Sequence, residues 1–112
     1  MKLSDAEFQM RTEDTLKDLE FVFGQLADKR DVDVEMQSNV LTVTFEEGEP
    51  GKFVISPNSS VGQIWVSARL ASYKFDWSDS ANDFILPDSN ELIKTALERL
   101  TREQLGDDSV SL

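Results

Sequence analysis

Between residues 31 and 77 the chain alternates apolar and polar side chains with a period of two. That alternation restricts its fold more than any other feature. Asp31-Val32-Asp33-Val34-Glu35-Met36 alternates without a break, with Val32, Val34 and Met36 on one face and an acidic row on the other. Lys52-Phe53-Val54-Ile55 reads as a strand between turns, and Val40-Leu41-Thr42-Val43-Thr44-Phe45 follows the same rule. So do Gln63-Ile64-Trp65-Val66-Ser67 and Tyr73-Lys74-Phe75-Asp76-Trp77, and Asp83-Phe84-Ile85-Leu86 is a short last member. Successive strand side chains point to opposite sides, so this pattern reads as half-buried strands. Short polar links such as Gln37-Ser38-Asn39 and Ser78-Asp79-Ser80-Ala81-Asn82 have hairpin length, which makes the run an antiparallel meander.

A helix precedes the strands and another follows. Ser4 with Glu7 three residues later fits a capping box, and Phe8, Leu16, Leu19, Phe23 and Leu26 recur at helical spacing, with Thr12, Thr15 and Val22 inside the stripe. The first helix is predicted over about residues 4–27, with the sheet over about 31–86. Pro87 stops the last strand. Asp88 with Glu91 reads as a second capping box, giving a helix over about 89–105 whose buried stripe is Leu92, Ile93, Ala96, Leu97 and Leu100. Gly106 can end it, and residues 106–112 are predicted to be a loose tail. No strand alternates with a crossover helix, so a parallel sheet is not expected. The predicted fold is α+β: a two-layer sandwich in which both helices cover one face of an antiparallel sheet of five or six strands. At 112 residues this is one domain.

The open face of that sheet carries the feature of greatest interest. Gln63, Trp65 and Ser67 share one side of their strand, and Lys74 lies on the side opposite Tyr73, Phe75 and Trp77. A Trp flanked by small polar residues suits a surface that meets a partner, because it joins large apolar area to a polar tip. It equally suits a side chain covered by a neighbouring loop or strand.

Charge and absences narrow the chemistry. Formal net charge is −11, from 22 acidic and 11 basic residues. This disfavours nucleic acid and anionic membranes as partners and favours cations or basic proteins. The chain has no Cys and no His. It therefore holds no iron–sulfur cluster through its own thiolates, no ordinary zinc site, and no Ser-His-Asp or Cys-His machinery. Any metal must be bound by oxygen. The N-terminal Met1-Lys2-Leu3-Ser4-Asp5 reads as neither signal nor transit peptide, and no segment is long and apolar enough to span a membrane. The expected location is the cytoplasm, or the mitochondrial matrix for a mature form.

Carboxylates are the one constellation that could carry chemistry. Glu7, Glu13, Asp14, Asp18 and Glu20 lie on the first helix, and Asp31, Asp33 and Glu35 on the strand that follows. If that strand is the edge beside the helix, the two sets form one ridge, and their mutual repulsion would be relieved by a cation. The alternative is a solvated helix face with a charged edge strand that blocks sheet-to-sheet pairing. Acids on a convex surface lack the pocket that general acid–base chemistry needs, so no classical active site is expected.

Gln63-Ile64-Trp65-Val66-Ser67 followed by Lys74-Phe75-Asp76-Trp77 resembles the sheet signature of the frataxins. The resemblance extends over nearly the whole chain. It takes in Phe8, Glu13-Asp14-Thr15-Leu16, Leu26-Ala27-Asp28-Lys29, Val40-Leu41-Thr42-Val43, Gly51-Lys52-Phe53-Val54-Ile55 and Glu91-Leu92. It implies a monomeric protein of iron–sulfur cluster assembly, with Fe2+ and Fe3+ bound weakly on an acidic ridge and no haem. The implied iron ligands are Glu13, Asp14, Asp18, Asp31 and Asp33, more loosely Glu7 and Glu20. The implied partners are a cysteine desulfurase and its scaffold protein, met through Gln63, Trp65, Ser67 and Lys74. Weak ferroxidase activity is also implied. Lys17, Phe21, Gly24 and Gln25 stand where relatives often carry acids, which implies a thinner ridge.

Overall fold

The structure, a computed structural model, describes residues 3–112. Met1 and Lys2, part of the stretch read above as neither signal nor transit peptide, lie outside the described residues. The elements run α1 (Asp5–Ala27), β1 (Val32–Gln37), β2 (Val40–Phe45), β3 (Gly51–Asn58), β4 (Gln63–Ala68), β5 (Ala71–Ser78), β6 (Asp83–Ile85) and α2 (Ile93–Leu105). The six strands form one sheet in chain order, every neighbour antiparallel. A two-helix, one-sheet α+β sandwich is what the alternation predicts.

The local reasons are visible at each start. The capping box is present: Ser4 Oγ accepts from the Glu7 N–H at 3.3 Å, and Glu7 Oε1 accepts from the Ser4 N–H at 3.4 Å. From there Phe8, Leu16, Leu19, Phe23 and Leu26 are buried as the helical stripe requires, with Thr12 buried among them and Thr15 and Val22 half-buried. The same core takes Leu41, Val43 and Phe45 of β2, Phe53 and Ile55 of β3, Ile64 and Val66 of β4, Phe75 of β5 and Phe84 of β6. Each strand thus contributes one face only, and both helix stripes join that cluster. Both helices therefore cover the same side of the sheet, and the other side is open. Edge-to-face contact of Phe8 with Phe84, centroids 6.0 Å apart, ties the start of α1 to the far strand.

Three expectations change at the C-terminal end. The second helix starts at Ile93, not near Asp88, and Asp88 is no cap. The physical reason is that the chain first extends the sheet. The Leu86 N–H donates to the Glu91 carbonyl at 2.9 Å, and Leu92 makes a bridge with Ile85. Glu91 is engaged by Arg99, whose Nε and Nη2 donate to it at 3.1 and 2.9 Å. Leu92 then serves as an N-cap with no side-chain bond and is exposed rather than part of the stripe. Finally, residues 106–112 are not a loose tail. Gly106 ends the helix at φ 62, after which Val110 is buried against the core and its carbonyl accepts from Arg102 Nε at 2.7 Å. The Leu112 N–H donates to Glu98 Oε2 at 2.9 Å.

Candidate functional site: an open sheet face beside a dispersed acidic surface

The register of the strands decides what shares the open face. Trp65 lies opposite Ser56 on one side and Lys74 on the other; Ser67 lies opposite Val54 and Ser72; Gln63 lies opposite Asp76. Sequence left the exposure of Trp65 open. In the fold it is 38% exposed, and nothing from the helical layer reaches it. Its indole N–H donates to Gln63 Oε1 at 2.9 Å, and Gln63 Nε2 donates to Asp76 Oδ1 at 2.9 Å. Lys74 Nζ lies 4.9 Å from the centre of the Trp65 ring, within cation–π range. Two strands therefore fix the Trp65 ring from its edge and its face, leaving it exposed with its polar tip already satisfied. Asp76 is the member that sequence reasoning missed. Its alternation with Lys74 and its register opposite Gln63 are the signals that could have found it.

A shallow depression of about 420 Å³ adjoins Trp65, lined by Val54, Ser56, Ser67, Ser72 and Lys74 among others. The open-face positions of β2, β3 and β4 carry no carboxylate: they are Val40, Thr42, Thr44, Lys52, Val54, Ser56, Asn58, Gln63, Trp65 and Ser67. In a chain with 22 acidic residues this is a segregated patch. Charge depletion around an aromatic is the composition of an interface core.

The acidic residues lie elsewhere. β1 is the sheet edge beside α1, as the ridge requires. Asp33 and Glu35 pair with Thr44 and Thr42, so they take the open face, on the side of the sheet away from α1; Asp31 sits in the turn before β1. On α1, 3.6 residues per turn place Glu7, Asp14 and Asp18 on one flank and Glu13 and Glu20 on the other. The first flank looks toward β5 and β6. Arg11, on that flank, lies 4.9 Å from the Trp77 ring centre, and the charge of Asp18 acts on Asp83 of β6. On the other flank Glu13 accepts from Gln9 Nε2 at 3.3 Å. Among the described residues no three Asp or Glu side chains converge on a point that could hold a metal. What these carboxylates provide is a diffuse negative field, which attracts cations and basic surfaces without a fixed coordination shell.

Two further groups escaped sequence reasoning. Asp83 is half-buried, and burial, with Asp18 adding repulsion, raises its carboxyl above the usual range despite the Phe84 N–H that donates to it at 2.7 Å. Arg30 joins three segments: its Nε donates to both Glu47 oxygens at 2.8 Å and its Nη1 to Asp107 Oδ2 at 3.0 Å. Those bonds hold the Glu47 carboxyl below its ordinary range.

A family model described as a frataxin-like domain matches residues 1–107. The chain belongs to the frataxin-like family. The iron–sulfur cluster assembly protein CyaY of Pseudomonas syringae pv. syringae is 34% identical over 106 residues, covering 95% of this chain and 93% of that protein. The protein of the same name from Azotobacter vinelandii is 31% identical over 108 residues, covering 96% and 94%. A solved frataxin from Psychromonas ingrahamii superposes with a TM-score of 0.80 over 94% of each chain, at 20% identity, a likeness of fold. Among the described residues no helix is long and apolar enough to cross a membrane.

Proposed function

We propose that this frataxin-like protein acts in iron–sulfur cluster assembly by docking its open sheet face on a cysteine desulfurase and scaffold complex, while its acidic surface binds Fe2+ or Fe3+ weakly. The observation that carries the docking role is Trp65, exposed and held in place by Gln63, Asp76 and Lys74 beside open-face positions of β2, β3 and β4 that carry no acid. The names of the curated relatives support the pathway. An aromatic whose rotamer is fixed before binding loses little entropy on docking, which is the property of an interface anchor.

Trp65→Ala tests this directly. Binding to a purified desulfurase–scaffold complex, followed by calorimetry, should weaken by about tenfold or more. Stability in urea should fall by no more than about 1 kcal/mol, because half-exposed surface residues carry little of the core. Unchanged binding would remove the docking role.

A second role, an acidic adaptor whose cation binding is incidental, is favoured by the failure of the carboxylates to converge. The two roles separate in an amide spectrum recorded during anaerobic titration with ferrous iron and again with calcium. If iron is cargo, the signals of Glu13, Asp14, Asp18, Asp31 and Asp33 broaden or shift, with Glu7, Glu20 and Glu35 following, while the Trp65 strand stays still. No change at millimolar iron leaves the adaptor.

A further inference from the structure

Among the described residues, six that are not glycine have positive φ: Ser38, Asn39, Arg69, Leu70, Asn82 and Asn90. Four of these are Ser or Asn, whose short polar side chains suit the left-handed region. Arg69 at φ 49 and Leu70 at φ 65 do not fit that explanation. They form the two-residue turn between β4 and β5, where Ala68 lies opposite Ala71. Two positive φ values are the pattern of a type I′ hairpin turn, a position that Asn-Gly fills without strain. Leu70 is also 108% exposed, the most exposed of the large apolar residues described. Folding alone does not favour an Arg-Leu pair in a backbone that Asn-Gly would adopt without strain.

The turn is held firmly. Arg69 Nη1 donates to Gln104 Oε1 at 2.9 Å, and Gln104 Nε2 donates to the Glu49 carbonyl at 2.7 Å, so a nearly buried residue of α2 ties the turn to the neighbouring loop. Glu49, Pro50, Lys52 and Gln104 line a surface notch together with Arg69 and Leu70. The Trp65 depression, through Ser67 and Ser72, lies on the same hairpin. Lys52 and Lys74 are both exposed, and among the described residues neither has a carboxylate within 4.0 Å. In a chain of net charge −11 these two lysines mark the side that complements acidic groups.

We propose that the Arg69-Leu70 turn is a second docking anchor, which seats Leu70 in an apolar socket on the protein partner that the Trp65 face meets. Carboxylates at the rim of that socket pair with Lys52 and Lys74. This rests on the docking role proposed above. The rigid turn presents Leu70 with little entropy left to lose, and the socket buries the side chain that water now surrounds.

The test compares Leu70→Gly, Leu70→Met, Lys52→Glu and Trp65→Ala, each measured for thermal midpoint and for affinity to a purified desulfurase–scaffold complex. Leu70→Gly should raise the midpoint, because glycine adopts positive φ freely, and yet weaken binding about tenfold. Leu70→Met keeps the apolar side chain and should bind like the parent protein. Lys52→Glu should weaken binding several-fold at low salt; unchanged affinity there overturns the carboxylate rim. If Leu70→Gly leaves affinity unchanged while Trp65→Ala weakens it, the second anchor is overturned and the docking face stands. If neither changes affinity, the docking face falls and the anchor with it. A lower midpoint for Leu70→Gly would show that the turn stores no strain and would overturn the inference from its backbone.

Discussion

At the scale of single residues, the side chains of interest differ in how their environments treat charge. Asp83 is half-buried at the start of β6, with Asp18 nearby, and both effects favour its protonated form. A carboxyl whose folded pKa lies above its unfolded value, about 3.9 for Asp, adds stability that is fully present below that value. The contribution is lost as pH rises through the folded value. Asp83→Asn keeps an oxygen to accept from the Phe84 N–H and removes the charge. The variant should be more stable than the parent protein at pH 7 and lose that advantage near pH 4, as checked by urea unfolding at both. Trp65 shows the other side of residue-scale reasoning. Its alternation with Ile64 and Val66 was plain in sequence, but whether anything covered it was not. Exposure depends on what arrives from elsewhere in the chain, and no local pattern contains that.

At the scale of elements, hairpins and helix ends differ in how local their causes are. The start of α1 is governed by Ser4 and Glu7, which are close in sequence, and the capping box was legible there. Asp88 and Glu91 offered the same signature and failed, because the Leu86–Glu91 hydrogen bond and the Ile85–Leu92 bridge extended the sheet edge first. A tertiary contact overrode a local preference of similar size. The C-terminal segment repeats the lesson. Its polar residues read as a tail, yet Val110 is 6% exposed and fastened by Arg102 to α2. Val110→Ala should therefore cost about 1–2 kcal/mol in urea unfolding, the loss of two buried methyl groups. A cost near zero would mean that the segment adds nothing to the core.

At the scale of the whole molecule, a net charge of −11 is arranged rather than spread. Most acids occupy α1, the β1 edge and the loops, while the open faces of β2, β3 and β4 have none. That separation leaves a carboxylate-free strip across β2, β3 and β4 beside a strongly acidic helix and sheet edge. Long-range contacts across the molecule also set its acid response. Arg30 links the turn after α1 to Glu47 and to Asp107, and it holds the Glu47 carboxyl below its ordinary range. A lowered folded pKa adds stability above the unfolded value, about 4.3 for Glu, and that stability is lost as pH falls through the folded value. Glu47→Gln should lower the thermal midpoint at pH 7 and flatten its fall between pH 5 and pH 3. Parallel curves for the two proteins would show that the pair contributes nothing.

The sequence by itself determined the strands, the first helix and the class of fold. Period-two and period-3.6 patterns follow from the geometry of one backbone segment and need no partner to be read. It also determined that metal chemistry here must use oxygen, since no Cys or His exists. Only the tertiary structure decided that Trp65 is open, that Asp18 looks toward Asp83, and that the chain's end is docked. Each of those depends on which distant elements meet, and contacts between distant segments are set by the packing of the whole core rather than by any local repeat.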